Sequence, residues 1–383
     1  MTTLASDYTA CATALAERLH VGGAIHSRQV FDAFRAVPRH LTVPRYYRRA
    51  VHPVVLDVAD PGPRAADHIY ADRSLLTHHP DHDGAQSRAS RPGHIAHLLE
   101  AAALPAARRV LHVGAGVGYT TALAAHVAER ARVVAVETSH RVAADGADAI
   151  DRLSLGRRVH YYRGEGYAGC APEAGYDRVL VTTGVTGISP IWLDQLTDRG
   201  FIVAPVYAGG LFPLLAVGRG PAGTGLVGRP VLGAAEFEPA TGLLWNEHAL
   251  RTPPMTSLPP AEHTLHVPAL AGITEDEYIG LWLFLAVTDG RVTGARTVSL
   301  DAEERDRAVL MGERGAAAIA PDVIASVGPD GQDLAREAER LVEGWLAAGR
   351  PRAADWEVRL RLNTATGAPL YTPYRWVLTG RRR

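Results

Sequence analysis

Between residues 109 and 206 short apolar runs alternate with amphipathic helical patterns. Val110-Leu111-His112-Val113 predicts a buried strand, and Arg132 to Val136, Val159 to Tyr162, Arg178 to Val181 and Phe201 to Val203 predict four more. Between the first two, Tyr119 to about Glu129 predicts a helix. Upstream, Val30, Phe31, Phe34 and Val37 mark one helix, with Ser27 placed to cap it and Pro38 to end it. This βαβ rhythm predicts an α/β fold, a doubly wound and mainly parallel sheet behind N-terminal helices.

Past Phe237 the pattern changes. Pro253-Pro254 and Pro259-Pro260 punctuate an aperiodic stretch, so residues 244–262 read as a Pro-rich linker after a first domain over 1–243. Leu281 to Val287 then predicts a buried strand. Leu334 to Ala347 predicts a helix with Leu334, Ala338, Leu341, Val342 and Trp345 on one face. Trp356, Val358, Leu360 and Leu362 alternate with Glu357, Arg359 and Arg361, as in a half-buried strand. Residues 263–383 are therefore expected to form a smaller α+β accessory domain.

Composition narrows the function classes. The formal net charge of the 383 residues is −1, which supplies no global field toward nucleic acid or an anionic membrane. Every Lys/Arg cation is an arginine, so a single arginine is weak evidence of bidentate recognition. Cys11 and Cys170 form no motif. Met1 to Leu19 lacks a basic-then-apolar targeting pattern, and Tyr278 to Val287 is about half of the ~20 residues needed to span a bilayer. A cytoplasmic protein is expected, with no nucleic acid, no membrane and no metal; the oligomeric state is left open.

The first predicted strand runs into Gly114-Ala115-Gly116-Val117-Gly118 and then a helix. A strand, glycine turn and helix present backbone N–H groups and open space to a nucleotide. Dinucleotide sites expect G-x-G-x-x-G, but here the sixth position is Tyr119 and the third glycine comes one residue early. Glu137, at the end of the next strand and roughly 20 residues on, suits ribose hydroxyls. Glu165, inside Gly164-Glu165-Gly166 after the third strand, suits an adenine amino group.

Several segments in order carry a resemblance. They are Val30 to Arg39, Ala89-Ser90-Arg91-Pro92, the glycine loop, Gly164-Glu165-Gly166, Tyr176 to Val181, Trp192 to Leu196 and Phe237-Glu238-Pro239. From about Ser27 to about Gly242 the chain resembles the protein-L-isoaspartate O-methyltransferases. That resemblance implies a Rossmann-like class I methyltransferase domain that uses S-adenosyl-L-methionine and releases S-adenosyl-L-homocysteine. It implies cofactor contacts from Gly114, Ala115, Gly116, Gly118, Glu137, Thr138, Glu165 and Gly166, and a catalytic contact from Ser90 to the acceptor carboxylate. Two positions depart from it: His112 stands where relatives carry an acid, and Glu165 where they carry an aspartate.

The chemistry asks for little. A carboxylate with a pKa of ~4 is ionised near neutrality, so methyl transfer to it needs alignment and a few donors rather than a base. Ser90 also suits a helix cap ahead of Pro92. The extension past Phe237 and the segment from Tyr70 to Pro92 resemble, more loosely, methyltransferases that tailor ribosomally made peptides (lanthipeptide, lasso, graspetide) through aspartimide. A tailoring enzyme is thus the expectation; a general isoaspartyl repair enzyme and a non-catalytic cofactor-binding regulator are the alternatives. His78-His79-Pro80-Asp81-His82-Asp83 reads as a polar loop flanking the site, Asp72-Arg73 as part of a cleft or a surface pair, and Arg381-Arg382-Arg383 as a solvated tail.

Overall fold

The structure, a computed structural model, describes residues 4–48, 52–57, 60–221, 225–247, 250, 252, 255, 257–297, 306–365 and 367–379. Pro253-Pro254 and the arginine tail lie outside them. The chain divides into two compact units: Met1–Pro205 with Ala216–Gly218 and Glu236–Leu244, and Val206–Leu215 with Arg219–Ala235 and Trp245–Arg383.

Unit 1 is built on five parallel strands. Arg109–Val113 lies at the centre, with Arg132–Glu137 and then Val159–Arg163 on one side, and Tyr176–Val181 and then Leu196–Pro205 on the other. Val110, Leu111, Val133, Val134, Val179, Leu180 and Val181 are almost completely buried, as expected of strands covered on both faces. The helices Tyr119–Val127 and His140–Arg152 connect the first three strands. Upstream, the Ser27 hydroxyl accepts from the Val30 N–H and starts the helix Arg28–Ala36. The strand order reverses between Arg109–Val113 and Tyr176–Val181, and a doubly wound sheet opens a ligand crevice at that point.

Unit 2 holds a six-stranded sheet and the helices Glu275–Thr288 and Gly331–Ala347. It also holds the antiparallel strands Leu226–Leu232, Trp356–Asn363 and Leu370–Leu378. The expected strand Leu281 to Val287 is instead the interior of the first helix. Thr274 and Glu277 form a reciprocal capping box at its start, and the segment is apolar on all sides because it is buried among Val267, Leu310, Ile319 and Trp345. Within the expected linker, Ser257–Leu258 is a strand paired in parallel with Val292–Thr297. Residues 206–215 and 219–235, which the sequence assigns to the first domain, group with unit 2. Leu211 joins the core of Trp282 and Leu285, and Trp282 Nε1 donates to the Gly209 carbonyl at 2.8 Å.

Candidate functional site

Gly114, Gly116 and Gly118 take φ of 74°, 56° and 97°, a region closed to side chains without strain, so the loop needs glycine at all three positions. Its floor is equally restrictive. A Cβ on Gly146 of the helix His140–Arg152 would stand 2.6 Å from the Tyr161 ring and 2.7 Å from the Gly116 carbonyl. The Tyr161 hydroxyl lies 3.2 Å from both the Ala115 and the Gly116 carbonyl, within reach to donate to either. Burial pushes that phenol well above its ordinary range, so it remains a donor.

Glu137, at the end of its strand, accepts from the Gly116 N–H at 3.0 Å and the Ser139 N–H at 3.1 Å. Its backbone carbonyl accepts from the Gly164 N–H at 3.1 Å, which ties the two acid-bearing strand ends together. Trp192 Nε1 donates to the Gly166 carbonyl at 2.9 Å, and Ser189 Oγ to the Tyr167 carbonyl at 2.8 Å. Opposite Glu165, a Cβ on Gly242 would lie 3.2 Å from its carboxylate. The segment carrying Gly242 is pinned by the Gly184 N–H donating to Glu238 O and the Ala240 N–H to Gly184 O.

The short strand Ser87–Ala89 delivers Ser90 to the same pocket. Ser90 does not cap the helix Pro92–Ala101; its N-cap is Arg91. Asp72 accepts from the Gly93 N–H at 2.7 Å and from Arg91 Nε at 3.1 Å, so Asp72 holds the Ser90-Arg91-Pro92 segment rather than pairing idly on the surface. From behind, the fully buried Arg39 donates to the carbonyls of Ile69, Ala71, Arg73, Ala89 and Ser90. Burial lowers its pKa to about 10, which leaves it charged at neutral pH.

His112 is fully buried between two threonines. Thr182 Oγ1 donates to the Gly114 carbonyl at 2.7 Å and lies 2.8 Å from His112 Nε2, while Thr121 Oγ1 lies 2.8 Å from Nδ1. A carbonyl only accepts, so Thr182 spends its hydrogen there, Nε2 must donate to Thr182, and Nδ1 accepts from Thr121. Burial pushes the His112 pKa down to about 3, in keeping with this neutral tautomer. The imidazole therefore braces the first glycine of the loop through Thr182.

Ser90, Gly114, Ala115, Gly116, Gly118, Glu137, Thr138, Glu165 and Gly166 all line one pocket of unit 1. Sequence reasoning missed Arg39, Thr121, Tyr161 and Thr182, whose roles depend on contacts formed only in the fold. The His78 cluster forms a strand end and a single helical turn. There buried His78 Nε2 lies 3.1 Å from Asp145, and Asp83 accepts from the Tyr47 hydroxyl at 2.7 Å. Among the described residues no group of three His, Cys, Asp or Glu is arranged to hold a metal, and no helix is long and apolar enough to cross a membrane.

The glycine cradle, a strand-end acid at Glu137 and a second acid at Glu165 suit an adenosine with a charged tail. A Cβ on Gly166, for instance, would meet Val113 at 2.8 Å. Residues 10–219 match the family protein-L-isoaspartate(D-aspartate) O-methyltransferase. A protein-L-isoaspartate O-methyltransferase of Methanopyrus kandleri is 34% identical over 50% of this chain and 75% of its own. One of Syntrophobacter fumaroxidans is 29% identical over 53% of this chain and 82% of its own. A solved protein-L-isoaspartate O-methyltransferase structure matches with TM-score 0.53 and 22% identity, covering 94% of this chain and 98% of its own.

Proposed function

The chain belongs to the protein-L-isoaspartate(D-aspartate) O-methyltransferase family of S-adenosyl-L-methionine-dependent enzymes, and on that premise we propose that it methylates an aspartyl or isoaspartyl carboxylate in a peptide or protein. The observation that carries this reading is the convergence of Ser90 with the glycine loop, Glu137 and Glu165 on one pocket.

When bound, the cofactor supplies an electrophilic methyl group and leaves as S-adenosyl-L-homocysteine. Glu137 would hold the ribose hydroxyls and Glu165 the adenine amino group. Ser90 donates to the acceptor carboxylate and orients it, replacing part of its hydration. No side chain need remove a proton, because the acceptor is already a carboxylate. In the product ester, the neighbouring backbone nitrogen attacks the ester carbonyl and its proton leaves with the methoxide as methanol. Water then opens the resulting aspartimide to aspartate or isoaspartate.

A narrower substrate, a ribosomally made precursor peptide, rests on the resemblance of the segment from Tyr70 to Pro92. The extension past Phe237 carries no weight for it, because the matching solved structure spans 94% of this chain. General repair remains the alternative substrate range. The test is mass spectrometry of an isoaspartyl peptide, its aspartyl counterpart and a peptide encoded beside the gene, each with S-adenosyl-L-methionine. One methyl gained and methanol then lost is the expected result. Methylation of any isoaspartyl sequence rules out the dedicated substrate, and no methylation of all three despite tight cofactor binding overturns the proposal.

A further inference from the structure

The pocket has a marked charge imbalance. Glu137, Glu165, Glu236 and Glu238 line it, whereas among the described lining residues Arg88 is the one Lys/Arg cation. Four acids suit a cofactor whose sulfonium and ammonium outnumber its single carboxylate, but they repel an anionic acceptor. Arg88 lies on the strand Ser87–Ala89, two residues before Ser90, so a cation is set beside the group assigned to the acceptor.

Arg88 is engaged by an internal carboxylate. Its Nε pairs with Glu238 Oε1, and Gln86 Nε2 donates to Glu238 Oε2 at 2.9 Å. A guanidinium and an amide thus already clasp both oxygens of one carboxylate. The two charged side chains are each 37% exposed, a setting in which an ion pair is weak and open to exchange. The Glu238 backbone is held separately, since its carbonyl accepts from Thr183 Oγ1 and from the Gly184 N–H, both at 2.8 Å. The side chain can release its partners while the segment keeps its place.

We propose that Arg88, with Gln86, recognises the acceptor carboxylate, and that Glu238 occupies this donor pair until an acceptor displaces it. The inference rests on the carboxyl methyltransferase reading and names how that site selects its substrate. Arg88 and Gln86 each engage one lone pair of the carboxylate, which leaves a second lone pair on each oxygen to take the methyl group. A guanidinium favours binding and lowers nucleophilicity, so its removal raises KM without lowering kcat.

The experiment measures calorimetric binding of a short isoaspartyl peptide, and of the same peptide with the carboxylate as a carboxamide, to protein saturated with S-adenosyl-L-homocysteine. Methyl transfer is followed in parallel. Arg88→Gln is expected to weaken the carboxylate peptide about 10- to 100-fold, with the carboxamide peptide and S-adenosyl-L-homocysteine affinity unchanged. Glu238→Gln is expected to tighten the carboxylate peptide several-fold by removing the competitor, and the double variant to behave as Arg88→Gln. Unchanged binding in Arg88→Gln, or weaker binding in Glu238→Gln, overturns the inference while wild-type methyl transfer still upholds the proposed function. Wild-type binding without transfer refutes the function and leaves the role of Arg88 to be read from the variants. No binding of the carboxylate peptide by wild type overturns both.

Discussion

The neutral, buried imidazole of His112 makes the stability of unit 1 depend on pH in a calculable way. In the unfolded chain a histidine titrates near 6.5, whereas burial lowers His112 in the folded protein to about 3. Below about pH 6.5 the unfolded state binds the extra proton and the folded state does not, so stability present above that pH is lost as pH falls toward 3. Between pH 7 and pH 5 this one group removes about 2 kcal/mol, from the linkage integral with those two pKa values. His112→Gln removes the titration; its amide nitrogen can still donate toward Thr182, but Thr121 keeps only the Tyr161 hydroxyl at 3.4 Å, costing about 1–2 kcal/mol at pH 7. The variant should therefore be less stable than wild type at pH 7 and equal to it or more stable at pH 5. Urea unfolding at both pH values measures this, following the transition that S-adenosyl-L-homocysteine shifts and that therefore reports unit 1. A stability difference that is the same at pH 7 and pH 5 refutes the neutral-imidazole assignment.

Ser90→Ala should slow methyl transfer about 10- to 100-fold while the calorimetric Kd for S-adenosyl-L-homocysteine holds, if the serine orients the acceptor as proposed; equal loss of both would make it structural. Gly146→Ala places a methyl against the Gly116 carbonyl and the Tyr161 ring. It should cost about 1–3 kcal/mol in thermal unfolding and weaken cofactor binding in the same protein. Arg39→Lys cannot span five carbonyls with one ammonium and should destabilise unit 1 by about 2–4 kcal/mol in urea. Its Kd for S-adenosyl-L-homocysteine should change less than its KM for acceptor, since the carbonyls it releases include that of Ser90.

What was legible in the sequence follows from what restricts each residue type. Gly114, Gly116 and Gly118 stand out because positive φ excludes other residues, and Glu137 and Glu165 because a strand end fixes where an acid points. The helix Glu275–Thr288 reads as a strand over Leu281 to Val287 because an element buried on all sides has no amphipathic period. Its start was nonetheless signalled by Thr274 and Glu277, spaced as a capping box. Arg39 was illegible for a different reason. Its partners are backbone carbonyls 30 to 51 residues away, which any sequence supplies, and in a chain whose Lys/Arg cations are all arginine its identity carries no signal. His112 shows the intermediate case. The resemblance marked it as a departure, but whether it was a defect or a brace depended on Thr121 and Thr182, 9 and 70 residues away. With both threonines at 2.8 Å, hydrogen-bond accounting lets the neutral side chain support the loop without a charge.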